Sequence, residues 1–337
     1  MIIALDVHGA DRGVEVAVGG ALQALAGPSD VKVVLCGRRQ DVEGALAGKP
    51  YDKSRVTILD CGEPVTNNDH PGIVVRRKKD ASMFRALELV RDGEADAAVS
   101  AGNTGALLAG VNIILKNVPH VKRATMASVV TSLDGTPTLI TDMGANVDCE
   151  PQRLMAFAIM GSVYMNKVFG IRAPKVALLN NGSEREKGNK LVLATRDLLE
   201  ASTLNYVGYV EPTELMSGKA DVIVTDGFAG NMAIKSYEGM AKAMMSVIKG
   251  GIMDGGIKAK LGYLLLKGVF RRVKRTFSAD EVGGAVFLGA NGVVVKTHGS
   301  STEESYCKSI LNAGKLVEKG VVAAIAEGIA DHDGDID

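Results

Sequence analysis

Short, continuous apolar runs alternate with longer helical patterns along most of this 337-residue chain. Many of the runs contain few polar positions, which is typical of strands that helices cover on both faces of a parallel sheet. The alternation therefore predicts an α/β protein with a mostly parallel sheet covered by helices. The predicted strands are Met1–Leu5, Val31–Cys36, Val56–Leu59, Ala97–Ser100, Thr125–Thr131, Thr138–Thr141, Lys175–Asn180, Asn205–Val210 and Asp221–Thr225.

Helical patterns separate these strands, and a hairpin is expected near the end of the chain. The helices are predicted at Gly13–Ala26, Ser82–Asp92, Gly105–Leu115, Pro151–Phe169, Lys187–Ala201, Asn231–Lys249 and Thr302–Glu327. The segments Ala285–Leu288 and Val293–Lys296 flank a Gly-Ala-Asn-Gly turn, which is typical of a β-hairpin. Because no break in composition marks a boundary, we expect one domain over residues 1–330, as a single body or as two lobes around a cleft. Residues 331–337 form an acidic tail.

The overall charge and the cysteines exclude several classes of protein. The chain has 39 basic and 39 acidic residues, whereas a general nucleic-acid binder relies on excess positive charge, so no nucleic-acid partner is expected. The four cysteines lie far apart, without metal-ligand or redox spacing, which favours reduced thiols in a cytoplasmic protein. The first residues resemble a strand rather than a signal peptide, and no apolar run reaches the length of a membrane span.

Several strands end in turns that combine glycine with Asn, Asp, Ser or Thr and then open a helix. These turns begin at Asp6, Ala101, Asp142, Asn181 and Asp226. In an open parallel sheet the carboxyl ends of the strands lie along one edge, where glycine backbone N–H groups and helix N-termini bind oxyanions. Each turn alone is more often a plain turn with an N-cap, but the set together predicts a crevice for an oxyanion or phosphate.

Common cofactor and nucleophile motifs are absent from the sequence. We find no dinucleotide-binding G-x-G-x-x-G after the first strand, no P-loop, no G-x-S-x-G and no Cys/His metal cluster. The sequence therefore predicts neither a cofactor nor a metal. A site rich in Asn and Gly suits a reaction that proceeds by positioning and charge stabilisation.

These turns, taken in order, resemble the PlsX family of phosphate acyltransferases over nearly the whole chain. The matching segments are Asp6–Asp11, Arg76–Met83, Ser100–Leu107, Gly144–Asp148, Met160–Tyr164, Leu178–Gly182 with Glu184 and Lys187–Asn189, Asp226–Asn231, Gly283–Ala285 and Lys296–Gly299. Two departures stand out. His8 and Ala10 replace Met and Gly of the usual D-A-M-G-G-D, and Ser183 stands where the family often has a first glutamate.

The resemblance implies a fold similar to isocitrate and isopropylmalate dehydrogenases and to phosphotransacetylase. It also implies a homodimer with its site in a cleft. The implied reaction transfers a fatty acyl group from acyl-(acyl carrier protein) to inorganic phosphate, as the first committed step toward phosphatidic acid. A membrane-bound glycerol-3-phosphate acyltransferase then uses the acyl phosphate, and members of the family associate peripherally with the membrane.

Phosphate is already anionic, so this reaction needs no serine or cysteine nucleophile. Lys187 is predicted to be the charge partner of phosphate, since a cation in the first turn of a helix opposes the helix dipole and so favours a functional reason. Asn231 is a catalytic donor and His298 a candidate acid or base, although a structural histidine explains His298 equally well. Further candidates for binding phosphate or for holding the loops are Asp6, Asp11, Asn103, Thr104, Asn146, Asp148, Glu184 and Asp226. The aspartates among them are equally well explained as helix N-caps.

Two basic segments are predicted to have roles other than phosphate binding. The run Arg76, Arg77, Lys78 and Lys79 is either a solvated face or a docking patch for acidic acyl carrier protein. Residues 256–277 are predicted to form a basic amphipathic helical arm with seven positive charges and no acid. Such a helix is typical of an element that binds an anionic membrane surface or a partner; the alternative is a dimer or core helix whose basic side faces water. The predicted membrane-contact residues are Leu261, Leu265, Leu266, Phe270, Arg271 and Arg272.

Three rival functions stay open at this point. A short-chain phosphotransacylase that uses acyl-coenzyme A would need the same oxyanion turns. A metal-dependent nicotinamide dehydrogenase would share the fold, but the cofactor-binding loop of such an enzyme is not recognisable in this sequence. A non-catalytic scaffold for lipid-synthesis enzymes would depend on the basic arm rather than on Lys187.

Overall fold

The computed structural model describes residues 1–66, 68–276, 283–332 and 334, without the side chains of residues 271, 272 and 274–276. Within these ranges eleven strands form one sheet in the order β3-β2-β1-β4-β11-β10-β5-β6-β9-β7-β8. The strands are β1 Ile2–Asp6, β2 Lys32–Gly37, β3 Val56–Asp60, β4 Ala97–Ser100, β5 Thr125–Thr131, β6 Pro137–Thr141, β7 Val176–Leu179, β8 Tyr206–Val210, β9 Val222–Val224, β10 Ala285–Leu288 and β11 Val293–Lys296. All nine predicted strands and the hairpin are confirmed.

The sheet consists of two parallel halves that run in opposite directions. Strands β1, β2, β3, β4 and β11 are parallel to one another, and so are β6, β7, β8 and β9. Between the halves, β10 is antiparallel to both β11 and β5, and β5 is antiparallel to β6. The prediction of a single edge that collects all carboxyl strand ends was therefore wrong.

The register shows that the two sets of carboxyl ends face each other instead. Ser100 at the end of β4 pairs with Lys296 at the end of β11, and Lys296 pairs with Ala285 of β10. Strand β6 ends at Thr141, which pairs with Ala127, and Ala127 pairs with Val286. Both halves thus end at nearly the same level of the sheet, and the turns that follow their strands meet across a cleft.

Helices cover this sheet on both faces. They are α1 Val14–Ala26, α2 Arg39–Leu46, α3 Pro71–Arg77, α4 Ser82–Arg91, α5 Thr104–Gly110, α6 Pro151–Phe169, α7 Lys190–Ala201, α8 Gly227–Asp254, α9 Gly256–Thr276, α10 Glu303–Glu318 and α11 Val321–Ala330. Helix α5 continues directly into a π-helical segment, Val111–Leu115.

The helix predictions need three corrections. The short helices α2 and α3 were not predicted. The expected single helix over Thr302–Glu327 is two helices, because Gly320 takes a left-handed conformation (φ 62°) that interrupts the helix. Helix α7 begins at Lys190, with Asn189 as its N-cap, rather than at Lys187.

The central helix α6 explains why its sequence is so apolar. Pro151 occupies a first-turn position, where its missing N–H costs no hydrogen bond, and Gly170 ends the helix in the left-handed conformation. Between these residues eleven positions are buried, because the helix packs against the sheet on one side and against α7 and α11 on the other. Burial on several faces therefore replaces the usual single apolar stripe.

Helices α8 and α9 form a hairpin of which only the first part lies in the core. The buried residues of α8 are Gly227, Gly230, Ile234 and Ala241, and most later positions are exposed. On α9, which matches the predicted arm apart from residue 277 outside the described ranges, Leu265 is 87% exposed. Among the described residues, neither these helices nor any other has the length and apolar character of a membrane span.

Gly230 sets how closely α8 approaches the second half of the sheet. A Cβ atom at this position would overlap the carbonyl oxygen of Asp142, whereas a Cβ at Gly239, further along the same helix, meets no atom within 4 Å. Gly230→Ala should therefore lower the free energy of unfolding by about 3 kcal/mol through overpacking. Gly239→Ala should leave it unchanged or raise it by up to about 1 kcal/mol through helix propensity.

Urea unfolding of both variants, followed by circular dichroism, measures this difference. Equal stabilities for the two alanine variants would contradict the close contact between α8 and the turn after β6.

Candidate active site

A cavity of about 920 Å³ lies between the facing strand ends. The turns after β1, β4 and β11 line it from the first half, and the turn after β6 and the start of α8 line it from the second half. Five of the predicted site residues contribute to its lining, namely Asp11, Asn103, Thr104, Asn231 and His298. The structure thus brings together residues up to 287 positions apart in the chain, Asp11 and His298.

Asp6, by contrast, lies beneath the cavity and is used within the protein. Its buried carboxylate accepts hydrogen bonds from the hydroxyls of Ser82 and Ser100, each at 2.6 Å, and from the backbone N–H of His8 at 3.2 Å. Asp6 therefore ties the turn after β1 to β4 and to the start of α4. This geometry supports the loop-pinning role that the sequence left open.

His8, which replaces the usual methionine, makes a second tie within the same turn. Its Nε2 accepts a hydrogen bond of 2.9 Å from the backbone N–H of Arg38, beyond the end of β2. Burial lowers the pKa of His8, although the carboxylates of Asp6 and Asp41 oppose that shift. A neutral imidazole with Nε2 as acceptor is consistent with this bond.

Asp142 organises the turn that follows β6. Its buried carboxylate accepts hydrogen bonds of 2.7–2.9 Å from the backbone N–H groups of Gly144, Ala145 and Asn146 and from Nδ2 of Asn146. Burial raises the pKa of Asp142, and these hydrogen bonds counter the shift by favouring the ionised form.

Asn146 was predicted to donate to phosphate, but its amide is engaged within the protein. Nδ2 donates to the carboxylate of Asp142 and also to the carbonyl oxygen of Ala124 at 2.9 Å. Because both N–H groups of the amide have partners, Asn146 stabilises the turn rather than facing the cavity.

The first turn of α5 presents neutral donors to the cavity. Asn103 is the N-cap, and its Oδ1 accepts a hydrogen bond of 2.9 Å from the backbone N–H of Ala106. The amide Nδ2 is then the part of this side chain that can donate to a ligand. Thr104 follows with its hydroxyl and its backbone N–H at the positive end of the helix dipole.

Ser300 orients the imidazole ring of His298. Its Nδ1 accepts a hydrogen bond of 3.2 Å from the backbone N–H of Ser300 and lies 2.8 Å from the Ser300 hydroxyl. Because Nδ1 accepts, Nε2 bears a proton and can donate a hydrogen bond to a ligand. This geometry is compatible with the predicted role, which stays a prediction.

Lys296 lines the cavity but was not among the predicted site residues, and the same holds for Lys235 and Glu238 on α8. The Lys296 side chain is partly buried, and Nζ donates to the carbonyl oxygens of Ala101, at 3.1 Å, and of Thr297. Desolvation lowers the pKa of Lys296 to about 8, although Asp6 and Asp11 oppose the shift. The available signal was its position at the end of a strand, within the Lys296–Gly299 segment already noted.

The remaining predicted site residues do not line the cavity. Lys187 and Glu184 are exposed on the turn after β7. In the sheet, β9 lies between β7 and β6, whose following turn lines the cavity. Lys187 also precedes α7, so the argument from a cation in the first helical turn was wrong. Asp148 is exposed, while Asp226 caps α8 by accepting from the backbone N–H groups of Phe228 and Ala229. The catalytic role of Lys187 stays a prediction.

The basic run around α3 is only partly available for docking. Lys78 donates to the carboxylate of Asp69 at 2.9 Å and lies 3.5 Å from that of Glu63. The backbone N–H of Thr66 and the Lys78 ammonium lower the pKa of Asp69 to about 2. Arg76, Arg77 and Lys79 are exposed.

Solved structures identify the fold. A phosphotransacetylase from Streptococcus pyogenes matches with a TM-score of 0.58 at 18% identity over 94% of both chains. A branched-chain phosphotransacylase from Enterococcus faecalis V583 has a TM-score of 0.55 at 14% identity over 94% of this chain and 99% of its own. A 4-hydroxythreonine-4-phosphate dehydrogenase from Klebsiella pneumoniae has 0.51 at 16% identity, with 94% and 97% covered. The fold class is therefore that of phosphotransacylases and related dehydrogenases, as expected.

Sequence relatives narrow this class. The family model described as "Fatty acid synthesis protein" matches residues 1–324. A "Phosphate acyltransferase" from Clostridium acetobutylicum is 38% identical over 97% of this chain and 98% of its own, and one from Clostridium beijerinckii is 40% identical over 96% and 98%. The chain belongs to this phosphate acyltransferase (PlsX) family of fatty acid synthesis proteins, and it is an enzyme of the acyltransferase class.

The hydrogen bonds that Asp6 accepts from Ser82 and Ser100 allow a test of its role in holding the turn after β1. Asp6→Ala should lower the free energy of unfolding by about 3 kcal/mol, because it leaves two buried hydroxyls without their charged acceptor. Ser82→Ala should lower the free energy of unfolding by a smaller amount. The loss in the double variant should be about 1 kcal/mol smaller than the sum of the losses in the two single variants. Urea unfolding of all three variants measures this coupling, and strictly additive effects would contradict the bond.

Proposed function

We propose that this protein transfers a fatty acyl group from acyl-(acyl carrier protein) to inorganic phosphate and releases acyl phosphate. The observation that favours this function is the cavity itself. It combines a lysine ammonium, a helix N-terminus and neutral amide donors, and it is roomy enough for phosphate together with a thioester arm. In this proposal the acyl phosphate supplies a membrane-bound glycerol-3-phosphate acyltransferase on the route to phosphatidic acid.

The reaction needs only one new bond and one broken bond at the acyl carbon. A phosphate oxygen attacks the thioester carbonyl, the C–O bond forms, and the C–S bond breaks as the thiolate leaves. Because a thiol has a pKa near 8.5, the thiolate leaves readily and takes up a proton afterwards. The protein therefore contributes by holding phosphate close to the carbonyl and by stabilising the oxyanion.

The cavity residues divide these tasks in our proposal. Asn103 and Thr104, at the start of α5, donate to phosphate oxygens. Asn231 faces them from α8 and donates to the developing oxyanion. His298, with its proton on Nε2, donates to the oxyanion or to the departing sulfur. Lys187 and Glu184 would take part if substrate reaches the turn after β7.

The cysteines support phosphate, rather than a protein thiol, as the nucleophile. Cys149 lies three residues beyond Asn146, to whose carbonyl oxygen its thiol donates at 3.4 Å. Burial raises the pKa of Cys149 to about 11, so little thiolate is present near neutral pH.

The wild-type reaction tests the proposal directly. Purified protein, acyl-(acyl carrier protein) and inorganic phosphate should yield acyl phosphate, which hydroxylamine traps as a hydroxamate. Omitting phosphate is the control and should abolish the product. Product formation from acyl-coenzyme A but not from acyl-(acyl carrier protein) would favour a short-chain phosphotransacylase. No product from either donor would favour the non-catalytic scaffold.

The exposed cations of α3 and the following turn are the proposed docking patch for acyl carrier protein. Arg76, Arg77 and Lys79 are free to meet its acidic surface, whereas Lys78 already pairs with Asp69. Arg76→Glu with Arg77→Glu should raise the KM for acyl-(acyl carrier protein) by about tenfold and leave kcat nearly unchanged. Charge reversal at Lys32 and Lys319, two exposed lysines elsewhere, is the control; an equal rise there would contradict a local patch.

The α8–α9 hairpin is the proposed membrane-contact element, peripheral to an otherwise cytoplasmic protein. On α9, Leu261, Leu265 and Leu266 are exposed and Phe270 packs against Tyr263, while the side chains of Arg271 and Arg272 lie outside the described residues. Such exposed apolar groups beside lysines suit an anionic bilayer surface. The homodimer also stays a proposal, and light scattering of the purified protein tests it.

Flotation with anionic liposomes tests the hairpin. Leu265→Glu together with Leu261→Glu should reduce the bound fraction severalfold, because each change places a charge where apolar contact is expected. Leu311→Glu, at an exposed position on α10, is the matched control and should float like wild type. Unchanged flotation of the α9 variant would remove this helix from the membrane proposal.

A further inference from the structure

Lys296 differs in its surroundings from the exposed lysines of the protein. It is the last residue of β11, pairs in register with Ser100, and extends into the cavity. An ammonium group has three N–H donors. The described contacts use two of them, on the carbonyl oxygens of Ala101 and Thr297, which leaves one for a ligand.

The partners of Lys296 are neutral, and this decides the charge of the ligand that fits. A partly buried cation without a bonded anion is costly, and an anionic ligand offsets that cost. Asp6 lies near enough to act on Lys296, but its carboxylate already accepts from Ser82, Ser100 and His8. No carboxylate among the described residues is bonded to Lys296, so its third N–H donor remains available to an anionic ligand in the cavity.

The carbonyl of Ala101 joins Lys296 to the turn that opens α5. Three residues further along that turn, Thr104 begins the helix, and both Asn103 and Thr104 line the same cavity. The Lys296 ammonium thus lies beside several neutral donors, which is the combination that a phosphate requires; Lys235, the second lysine of the lining, is exposed on α8.

We infer that Lys296 is the residue that binds inorganic phosphate through its charge, with Asn103 and Thr104 as the neutral donors around it. This assignment rests on the proposed function and names the phosphate subsite within it. It gives Lys296 the role that the sequence assigned to Lys187.

The lowered pKa of Lys296 adds a distinctive pH dependence. The groups that face it are Asp6 and Asp11 from the turn after β1 and Tyr306 from α10, with His8 and His298 on the same cavity. Burial raises the pKa of Tyr306 and lowers that of His8, so both stay neutral above pH 7. As pH rises through about 8, Lys296 loses its proton and phosphate affinity should fall.

Stabilisation by inorganic phosphate alone measures this subsite without any acyl donor. Phosphate should raise the Tm of the wild-type protein in a concentration-dependent manner, because a ligand of the native state stabilises it. Lys296→Met should weaken phosphate affinity by about tenfold or more, since it removes the charged donor. Lys319→Met, at the exposed position that directly follows α10, is the control and should respond like wild type.

Lys296→Arg keeps the charge and makes the pH dependence decisive. In wild type the phosphate affinity should drop between pH 7.5 and 9, whereas the arginine variant, with a pKa above about 12, should show no such drop. Comparing the two proteins at each pH cancels the titration of phosphate itself. This readout also decides the matter if Lys296→Met does not fold.

The outcomes separate this inference from the proposed function. Undiminished phosphate stabilisation of Lys296→Met, or identical pH profiles of wild type and Lys296→Arg, would overturn the role of Lys296. Phosphate binding that depends on Lys296, together with no hydroxamate from acyl-(acyl carrier protein), would support the subsite and refute only the acyl donor.

Discussion

Strand β5 pairs antiparallel with both of its neighbours, and the geometry of the cavity depends on that pairing. A uniformly parallel sheet would place all carboxyl strand ends, and all the helix N-termini that follow them, along one edge. The reversal at β10 and β5 instead turns the second half of the sheet toward the first. Turns from both halves then meet, and α5 and α8 begin on opposite sides of one space.

The buried charges around this space are arranged so that the anions are satisfied within the protein. Asp6 and Asp142 each accept several hydrogen bonds from the turns that they hold. Such donors satisfy a buried carboxylate without a cation. Lys296, bonded to carbonyl oxygens, keeps its charge for a ligand. The lining therefore combines Lys235 and Lys296 with Asp11 and Glu238, in a chain that has no formal net charge.

That neutral total conceals an uneven distribution. Seven positive charges lie between Lys258 and Arg275, which leaves 32 basic and 39 acidic residues in the rest of the chain. The helix that bears them projects from the sheet with apolar residues exposed, while α8 contacts the core mainly through its first turns. The attachment at Gly230 therefore connects a surface element directly to a turn that lines the cavity.

Much of the fold could be predicted because apolar periodicity is a local property of the chain. The strands, most helices and the Ala285–Lys296 hairpin follow from it, and the order of the motifs was sufficient to indicate the family. Short helices such as α3 escaped because seven residues contain too little periodicity to recognise. The break at Gly320 escaped because glycine is also tolerated within helices.

The candidate site likewise has a part that local sequence predicts and a part that depends on tertiary structure. Sequence alone determined that polar turns follow the strands, because glycine, Asn and Asp have clear backbone and capping preferences. It could not determine which turns share a cavity, since that depends on strand order and direction. Only the tertiary structure placed Lys296 beside the start of α5, left Lys187 outside the cavity lining, and turned Asp6 and Asn146 inward. Those outcomes depend on pairings between residues far apart in the chain, and the desolvation that changes Lys296 exists only once those pairings have formed.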